Sequence, residues 1–486
     1  MEKFFQSKTE GEEWFYEKFG KGETYDAEAR NIHLWDMPAL ILFINGLVDG
    51  YVLTELLSQM QWNQVDETKR RRVEEENEFE QFLSYFPYYS VTAVKDVDEL
   101  LTSILSGLVA FVTPEGYAFV IDARSYPGRE PAEPDNEKVI RGSRDGFTEN
   151  IVLNTALVRR RLRTEKLRFE MHQTTVSGKT DVAITFIEGA ASKQHLDFIR
   201  KRLDEIEHDG LTMTDKSLEE WLFKQGFHPM PFVRFTERPD ICAAHLLEGH
   251  IAIMVDTSPS VILVPVTLFH HLQHAEEYRQ APLIGTFVRM IRLIGTALSL
   301  FLLPFWYLLA TKQEYLPDAL SYIGPTEVGE VPLLVQLLIA DLGIEVLRMA
   351  AIHTPTPMST AMGLVAAIVI GQVAIDVGLF TPEVVLYVAL SAILTFAIPS
   401  YELSVTVKIF RISILLLTAL LGAPGFFLSS AVIFYYLCAL RPMNVPYLWP
   451  AVPFFPQAML RILIRSPMTA DEPRPYITDS PERNRI

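Results

Sequence analysis

Cysteine is nearly absent: the 486 residues hold two, Cys242 and Cys438. They lie far apart in unlike surroundings, which excludes a disulfide framework and points to a reducing compartment for the soluble part. Basic residues are also scarce, 43 Lys and Arg against 60 Asp and Glu, for a net charge of −17. Without clustered Lys and Arg to release counterions from phosphates, a nucleic-acid partner is not expected. The first twenty residues are polar and acidic with no apolar core, so no secretory leader is expected to export the soluble half. Disorder is disfavoured by an aromatic content of 11%.

The charge is unevenly spread. From Leu283 onward there are 12 basic and 13 acidic residues, leaving 31 and 47 before it, so the first part carries −16 of the −17. Long uncharged runs follow: Leu293 to Ala310 (18 residues), Met349 to Ile375 (27), Val384 to Tyr401 (18) and Ile412 to Leu440 (29). At ~1.5 Å per residue the shorter runs, with their flanks, reach across a bilayer core of about 30 Å. A soluble chain rarely carries four such runs. The fold class read here is an α-helical polytopic membrane domain preceded by a soluble α/β (α+β) region of two subdomains.

The domains expected are 1–130 and 131–282 for the soluble subdomains, 283–441 for the membrane domain, and 442–486 for an interfacial segment and cytoplasmic tail. Spans are expected at about 288–310, 331–351, 358–379 and 383–401. The 411–440 run is read as broken or re-entrant: at roughly 43 Å it is long for one span and short for two, and Gly422-Ala423-Pro424-Gly425 interrupts it. Arg289 and Arg292 mark the cytoplasmic side, and Lys408 with Arg411 reads as an inside connector from Tyr401 to Arg411. Five prolines within Pro442–Leu460 exclude a regular span there, and its aromatic residues suit the membrane interface.

Charges inside the spans are the candidate site. Asp341, Glu345 and Arg348 are spaced i, i+4, i+7, so one helix face carries all three. Ionisable groups at that depth cost at least ~2.5 kcal/mol each on insertion scales and normally face a bundle interior, a partner or water. Two readings stand: a structural ion pair or surface amphipathic helix, and a face that contacts ions or a ligand. The next span adds Gln372 and Asp376, again four apart. Its Ala and Gly content permits close packing, either around a pore axis lined by Val365, Ile368 or Gln372, or within one monomer.

The soluble half has no long repeat. The segment to about Val73 reads as polar helix, with Arg70-Arg71-Arg72 beside Glu74-Glu75-Glu76 as a solvated face. A hairpin is legible in LVAFVT, Pro114-Glu115-Gly116 and YAFVIDA. A Pro-rich linker, RSYPGREPAEPDNEK, then precedes a helix capped by Thr148 and running to Arg161. Strands LRFEMH, DVAITFIEG, HIAIMVD and SVILVPV alternate with a helix from Lys193 to Ile206. Catalytic signatures are weak: Gly178-Lys179-Thr180 has Gln173 where a P-loop needs glycine. His270, His271 and His274 include an i, i+4 pair but no evident third metal ligand. Arg159, Arg160, Arg161 and Arg163 form a charged helix face that could touch anionic lipid, and Cys438 has no nucleophilic surroundings. No catalytic residue, cofactor or metal is expected.

Several phrases together resemble the A-type subunits of the GerA family of spore germination proteins: VIRGSRDGFTENIVLNTALVRRRLR (Val139 to Arg163), GIEVLR followed by AIHTP, IGQVAIDVGLFTP (Ile370 to Pro382) and FAIPSY. The tail, with YLWPAVPFFP and LIRSPMTADEPRP, is more similar to the stage V sporulation protein AF branch than to the nutrient-receptor A subunits. The resemblance implies a protein of the spore inner membrane with a cytoplasmic N-terminal region and no enzymatic activity. It implies a homo-oligomeric gated ion channel acting on exit from dormancy, with other germination subunits as partners. A non-conducting receptor or scaffold subunit is the alternative. The resemblance supplies no site residues, so Asp341, Glu345, Arg348, Gln372, Asp376, Val365 and Ile368 rest on membrane physics.

Overall fold

The computed structural model describes residues 5–19, 27–34, 37–44, 47–62, 83, 86–125, 133–134, 137–162, 164, 166–174, 178–206, 214–312, 324, 330–353, 363–467 and 473–482. The chain divides into two compact units, 1–130 and 131–486.

The first unit contains helix α1 (Lys8–Phe19), strands β1 (Ala27–Leu34) and β2 (Met37–Ile44), helix α2 (Gly50–Trp62), strand β3 (Val91–Ala93), helix α3 (Val97–Leu105), and strands β4 (Val109–Val112) and β5 (Ala118–Ile121). Its sheet is antiparallel throughout, in the order β1-β2-β4-β5-β3. Both central strands β4 and β5 are buried along their whole length, because apolar clusters cover the two faces. One holds Leu53, Leu56 and Met60 of α2 with Phe111 and Phe119; the other holds Phe15, Leu100 and Ile104 of α1 and α3. A strand covered on both faces reads as a continuous apolar run, which is why the β4–β5 hairpin was visible in the sequence. The β1–β2 hairpin was not. The segment expected to be helix up to Val73 folds instead as α1, β1, β2 and α2, because MPALILFI is an apolar run that pairs along its full length with the mixed strand β1. Arg70–Arg72 and Glu74–Glu76 lie outside the described residues.

The second unit opens with helix α4 (Ile151–Arg161), strands β6 (Leu167–Thr174) and β7 (Thr180–Ile187), helices α5 (Lys193–Asp204) and α6 (Thr214–Phe223), strand β8 (Arg234–Thr236), helix α7 (Pro239–Leu247), strands β9 (Ile251–Val255) and β10 (Val261–Val264), and short helices α8 (Leu268–His271) and α9 (Ala275–Arg279). The sheet order is β6-β7-β9-β10-β8, and every pairing is antiparallel. The soluble class is therefore α+β rather than a parallel α/β sheet. Helices α5 and α6 cover one face and α4 with α7 the other. Asn150, not Thr148, caps α4: its side chain accepts from the amides of Val152 and Leu153, while the Thr148 hydroxyl accepts from the Asn150 amide at 3.3 Å.

Among the described residues seven α-helices follow: α10 (Pro282–Thr311), α11 (Leu333–His353), α12 (Gly363–Asp376), α13 (Pro382–Phe396), α14 (Tyr401–Leu421), α15 (Ala423–Ala439) and α16 (Pro456–Leu463). Two of them, α10 and α14, are long and apolar enough to cross a membrane, and α12, α13 and α15 are shorter apolar helices. The core of this helical half joins Leu303 and Trp306 of α10 to Leu337 and Ala340 of α11, Val384 and Val388 of α13, and Leu415 of α14.

Two expectations are corrected here. Tyr401 to Arg411 is not a connector but the first half of α14, with Lys408 and Arg411 buried. Ser400 caps that helix by accepting from the Leu403 amide at 3.3 Å. The 411–440 run is interrupted at Gly422, within the Gly-Ala-Pro-Gly stretch that marks the break in the sequence: α14 ends at Leu421 and α15 starts at Ala423. Gly422 holds φ +67° and ψ −141°, a backbone conformation open essentially to glycine. The chain folds back so closely that a Cβ on Gly425 would stand 2.0 Å from the Leu417 carbonyl oxygen. The aromatic residues after Pro442 also divide differently from a simple interfacial belt. Tyr447 and Trp449 are buried, Tyr447 donating to the Pro231 carbonyl of the α+β part at 3.0 Å, whereas Phe454 and Phe455 are exposed.

Candidate functional site

The apolar sequence of α11 leaves its three charges on one face, and that face meets α14. Arg411 Nη2 donates to Asp341 Oδ1 at 2.6 Å, and Lys408 Nζ lies 3.6 Å from the same oxygen. Lys408 also donates to the Asp341 backbone carbonyl at 2.8 Å and to Glu345 Oε2 at 2.9 Å. Arg348 pairs with Glu345 and donates to Ser404 Oγ at 2.9 Å. Along α11 the partners run Arg411, Lys408, Ser404, so α11 and α14 lie antiparallel. Asp341 is 2% exposed and Arg411 1%. Burying such groups without partners would cost several kcal/mol per ion, so close pairing with further hydrogen bonds is required. Arg411 has them: Nη1 donates to the Ser299 carbonyl at 3.0 Å, Ser391 Oγ at 2.6 Å and Thr395 Oγ1 at 3.1 Å. One guanidinium thus joins α10, α11, α13 and α14. Arg348 in addition lies over the rings of Tyr401 and Phe396, at 4.9 and 5.9 Å.

Gln336 on α11 makes a second pin. Its amide nitrogen donates to the Val331 carbonyl and its oxygen accepts from the Thr381 amide at the start of α13, both at 2.8 Å.

The expected residues separate into two sets. Asp341, Glu345 and Arg348 come together with Lys408 and Arg411, which by local sequence alone read as part of an inside connector. Their signal was available: a cap at Ser400 opens an apolar run in which Lys408 and Arg411, three apart, match the four-residue spacing of Asp341 and Glu345. Val365, Ile368, Gln372 and Asp376 do not join this network; all four lie exposed on α12. Part of that helix, Ala367–Val373, is wound as π-helix, a distortion frequent at functional positions.

The remaining candidates are occupied elsewhere. His270 accepts from the Thr267 amide at 3.1 Å, and His274 Nδ1 caps α9. Among the described residues no group of three or more His, Cys, Asp or Glu side chains converges as metal ligands would. Arg159 donates to the carbonyls of Thr164 and Leu167 and Arg161 binds Asp145, so these two arginines serve the fold. Arg163 lies outside the described residues. Cys242 is buried, and burial pushes its thiol above the ordinary range.

Residues 13–477 match the family described as Bacillus/Clostridium GerA spore germination protein. The chain is 45% identical to stage V sporulation protein AF of Bacillus subtilis (strain 168), over 99% of this chain and 97% of that one. It is 30% identical to spore germination protein KA of the same organism, over 93% of this chain and 84% of the other. A crystal structure of the N-terminal domain of the A subunit of the Bacillus megaterium spore germinant receptor GerK3 aligns at 26% identity and TM-score 0.22, covering 54% of this chain and 96% of that domain. This chain belongs to the GerA family of spore germination proteins.

Proposed function

We propose that this protein is a multi-pass subunit of the spore inner membrane, with its N-terminal region cytoplasmic, whose assembled copies form a gated path for ions released on exit from dormancy. The observation that carries the reading is the contrast between two adjacent segments. Asp341, Glu345 and Arg348 of α11 pair with one another and with Lys408 and Arg411 of α14 inside the chain, while α12 leaves Val365, Ile368, Gln372 and Asp376 unburied. A helix with a polar position on an exposed apolar face suits a shared axis between copies, and the buried charge network then acts as the rigid support behind it. The antiparallel α11 and α14 and the tight turn at Gly422 fit helices that cross in alternate directions. No enzymatic step is proposed.

The alternative is a non-conducting receptor or scaffold subunit that signals through partner membrane proteins. It is favoured by the pairing of Asp341 and Glu345 with cations of their own chain, which leaves those carboxylates to structural work. Reconstitution of the full chain in liposomes separates the two. If α12 lines a pore, Gln372→Leu and Ile368→Ala change ion flux while assembly persists. If oligomers form and conduct nothing, or conduct identically in both variants, the channel reading fails.

A further inference from the structure

Where the second sheet meets the first apolar helix, the described residues enclose a cavity of about 520 Å³, within the range of small-molecule sites. Its wall is drawn from α7, α9, the first turns of α10 and the end of α16. Five arginines line it, Arg234, Arg279, Arg289, Arg461 and Arg465, against two carboxylates, Asp240 and Glu248. Glu277 and Glu137 stand behind Arg289 and Arg234, with Arg292 and Arg238 beside them in turn. The wall also includes His245 and His274. Burial lowers the pKa of both, and they remain neutral at pH 7. The lining is therefore cationic on balance.

Three of these arginines are more than nine-tenths buried: Arg234 at 7% exposure, Arg289 at 5% and Arg465 at 6%. A desolvated guanidinium is costly unless its donors are used. Arg289 caps the end of α16 through the carbonyls of Arg461 and Ile462, at 3.1 and 3.2 Å. Arg465 donates to the carbonyls of Tyr278 and Gln280. Yet, among the described residues, Nη2 of Arg289 and Nε of Arg465 have no hydrogen-bond partner. Among the described residues, the Arg234 guanidinium has hydrogen bonds only to His245 Nε2 and the Gln273 carbonyl, both at 3.4 Å.

We propose that this cavity is a binding site for a phosphate-class anion, held by the forked donors of Arg234, Arg289 and Arg465 together with the less buried heads of Arg279, which pairs with Asp240, and Arg461. Guanidinium forks match phosphate oxygens in pairs, and a phosphate offers enough acceptors for several arginines at once. The group is either a soluble phosphate or the headgroup of an anionic phospholipid; the position at the first turns of α10 suits both.

The test uses the purified full chain in uncharged detergent at constant ionic strength, following thermal unfolding. Inorganic phosphate and dioctanoyl phosphatidylglycerol are titrated separately, with dioctanoylglycerol as the phosphate-free control. The expected result is a saturable rise in Tm with at least one phosphate probe and none with the control. Arg461→Gln and Arg279→Gln, both outside the buried set, weaken that response about tenfold, the loss of one charge-assisted hydrogen bond. A rise with phosphatidylglycerol alone assigns the lipid headgroup, and a rise with inorganic phosphate assigns the soluble ligand. No rise with either probe, an equal rise with the control, or an undiminished rise in both variants overturns the site.

Discussion

Arg411 and Asp341 sit on different helices, buried from solvent, with Nη2 2.6 Å from Oδ1. Loss of Asp341 leaves the Arg411 guanidinium bonded to Ser299, Ser391 and Thr395 without a counter-charge, and loss of Arg411 leaves Asp341 with Lys408 alone, at 3.6 Å. Asp341→Asn or Arg411→Leu is expected to destabilise the helical half by about 3–5 kcal/mol. The double variant should cost clearly less than the sum of the two singles. Denaturant titration of the detergent-solubilised chain measures this, and additive effects would mean the pair is not energetically coupled.

The turn between α14 and α15 gives a second test. Gly425 has the Leu417 carbonyl oxygen 2.0 Å from where a Cβ would stand, so backbone, not a yielding side chain, blocks substitution. Gly425→Ala is expected to cost about 1–3 kcal/mol, the usual penalty for overpacking. A variant as resistant to heat as the parent would show that the two helices can separate freely.

Acid sensitivity follows from the histidines of the second unit. His250 and His271 are buried, His250 with the rings of His245 and His270 at 5.1 and 5.2 Å. Burial first, with Arg234 adding to it, lowers His250 to about 4 and His271 to about 3 from 6.5. The folded state thus binds fewer protons than the unfolded one. Stability is complete above pH 6.5 and falls as pH drops toward those values, by up to roughly 3 kcal/mol for His250. Glu219 opposes this: burial raises its carboxyl to about 7 from 4.5, so protonating it between those values favours the fold. Unfolding midpoints at pH 8, 6 and 5 should decline, and His250→Asn should flatten the decline. An unchanged slope in that variant would remove His250 from the account.

Tyr447 ties the segment after α15 to the α+β part. Its buried hydroxyl donates to the Pro231 carbonyl at 3.0 Å. Tyr447→Phe leaves that carbonyl without its donor and is expected to cost about 1–2 kcal/mol with no change in fold. The difference is measurable in the thermal midpoint, and no difference would mean that water replaces the hydroxyl.

Gln372 is exposed on α12. Gln372→Leu should therefore shift stability by no more than about 0.5 kcal/mol, while changing ion flux in reconstituted vesicles. A large loss of stability would place the residue inside the monomer's packing instead.

How much was legible in the sequence follows from the range of each signal. Local signals carried far. Uninterrupted apolar runs announced α10, α13 and β4–β5, and the i, i+4, i+7 spacing put Asp341, Glu345 and Arg348 on one face without reference to any partner. Division of charge at Leu283 separated an acidic soluble half from a near-neutral helical one. What the sequence could not decide was which distant segments meet. Lys408 and Arg411 look the same in composition whether they cap a cytoplasmic loop or neutralise two carboxylates 63 to 70 residues away; only the packing of α14 against α11 chooses. The β1–β2 hairpin likewise depends on a pairing and a cover from α2 that no local pattern records. Sequence by itself determined where charge is scarce and what each helix must hide. Tertiary structure decided which charges cancel and which side chains remain exposed, because desolvated ions are tolerable only beside partners that the fold brings from elsewhere in the chain.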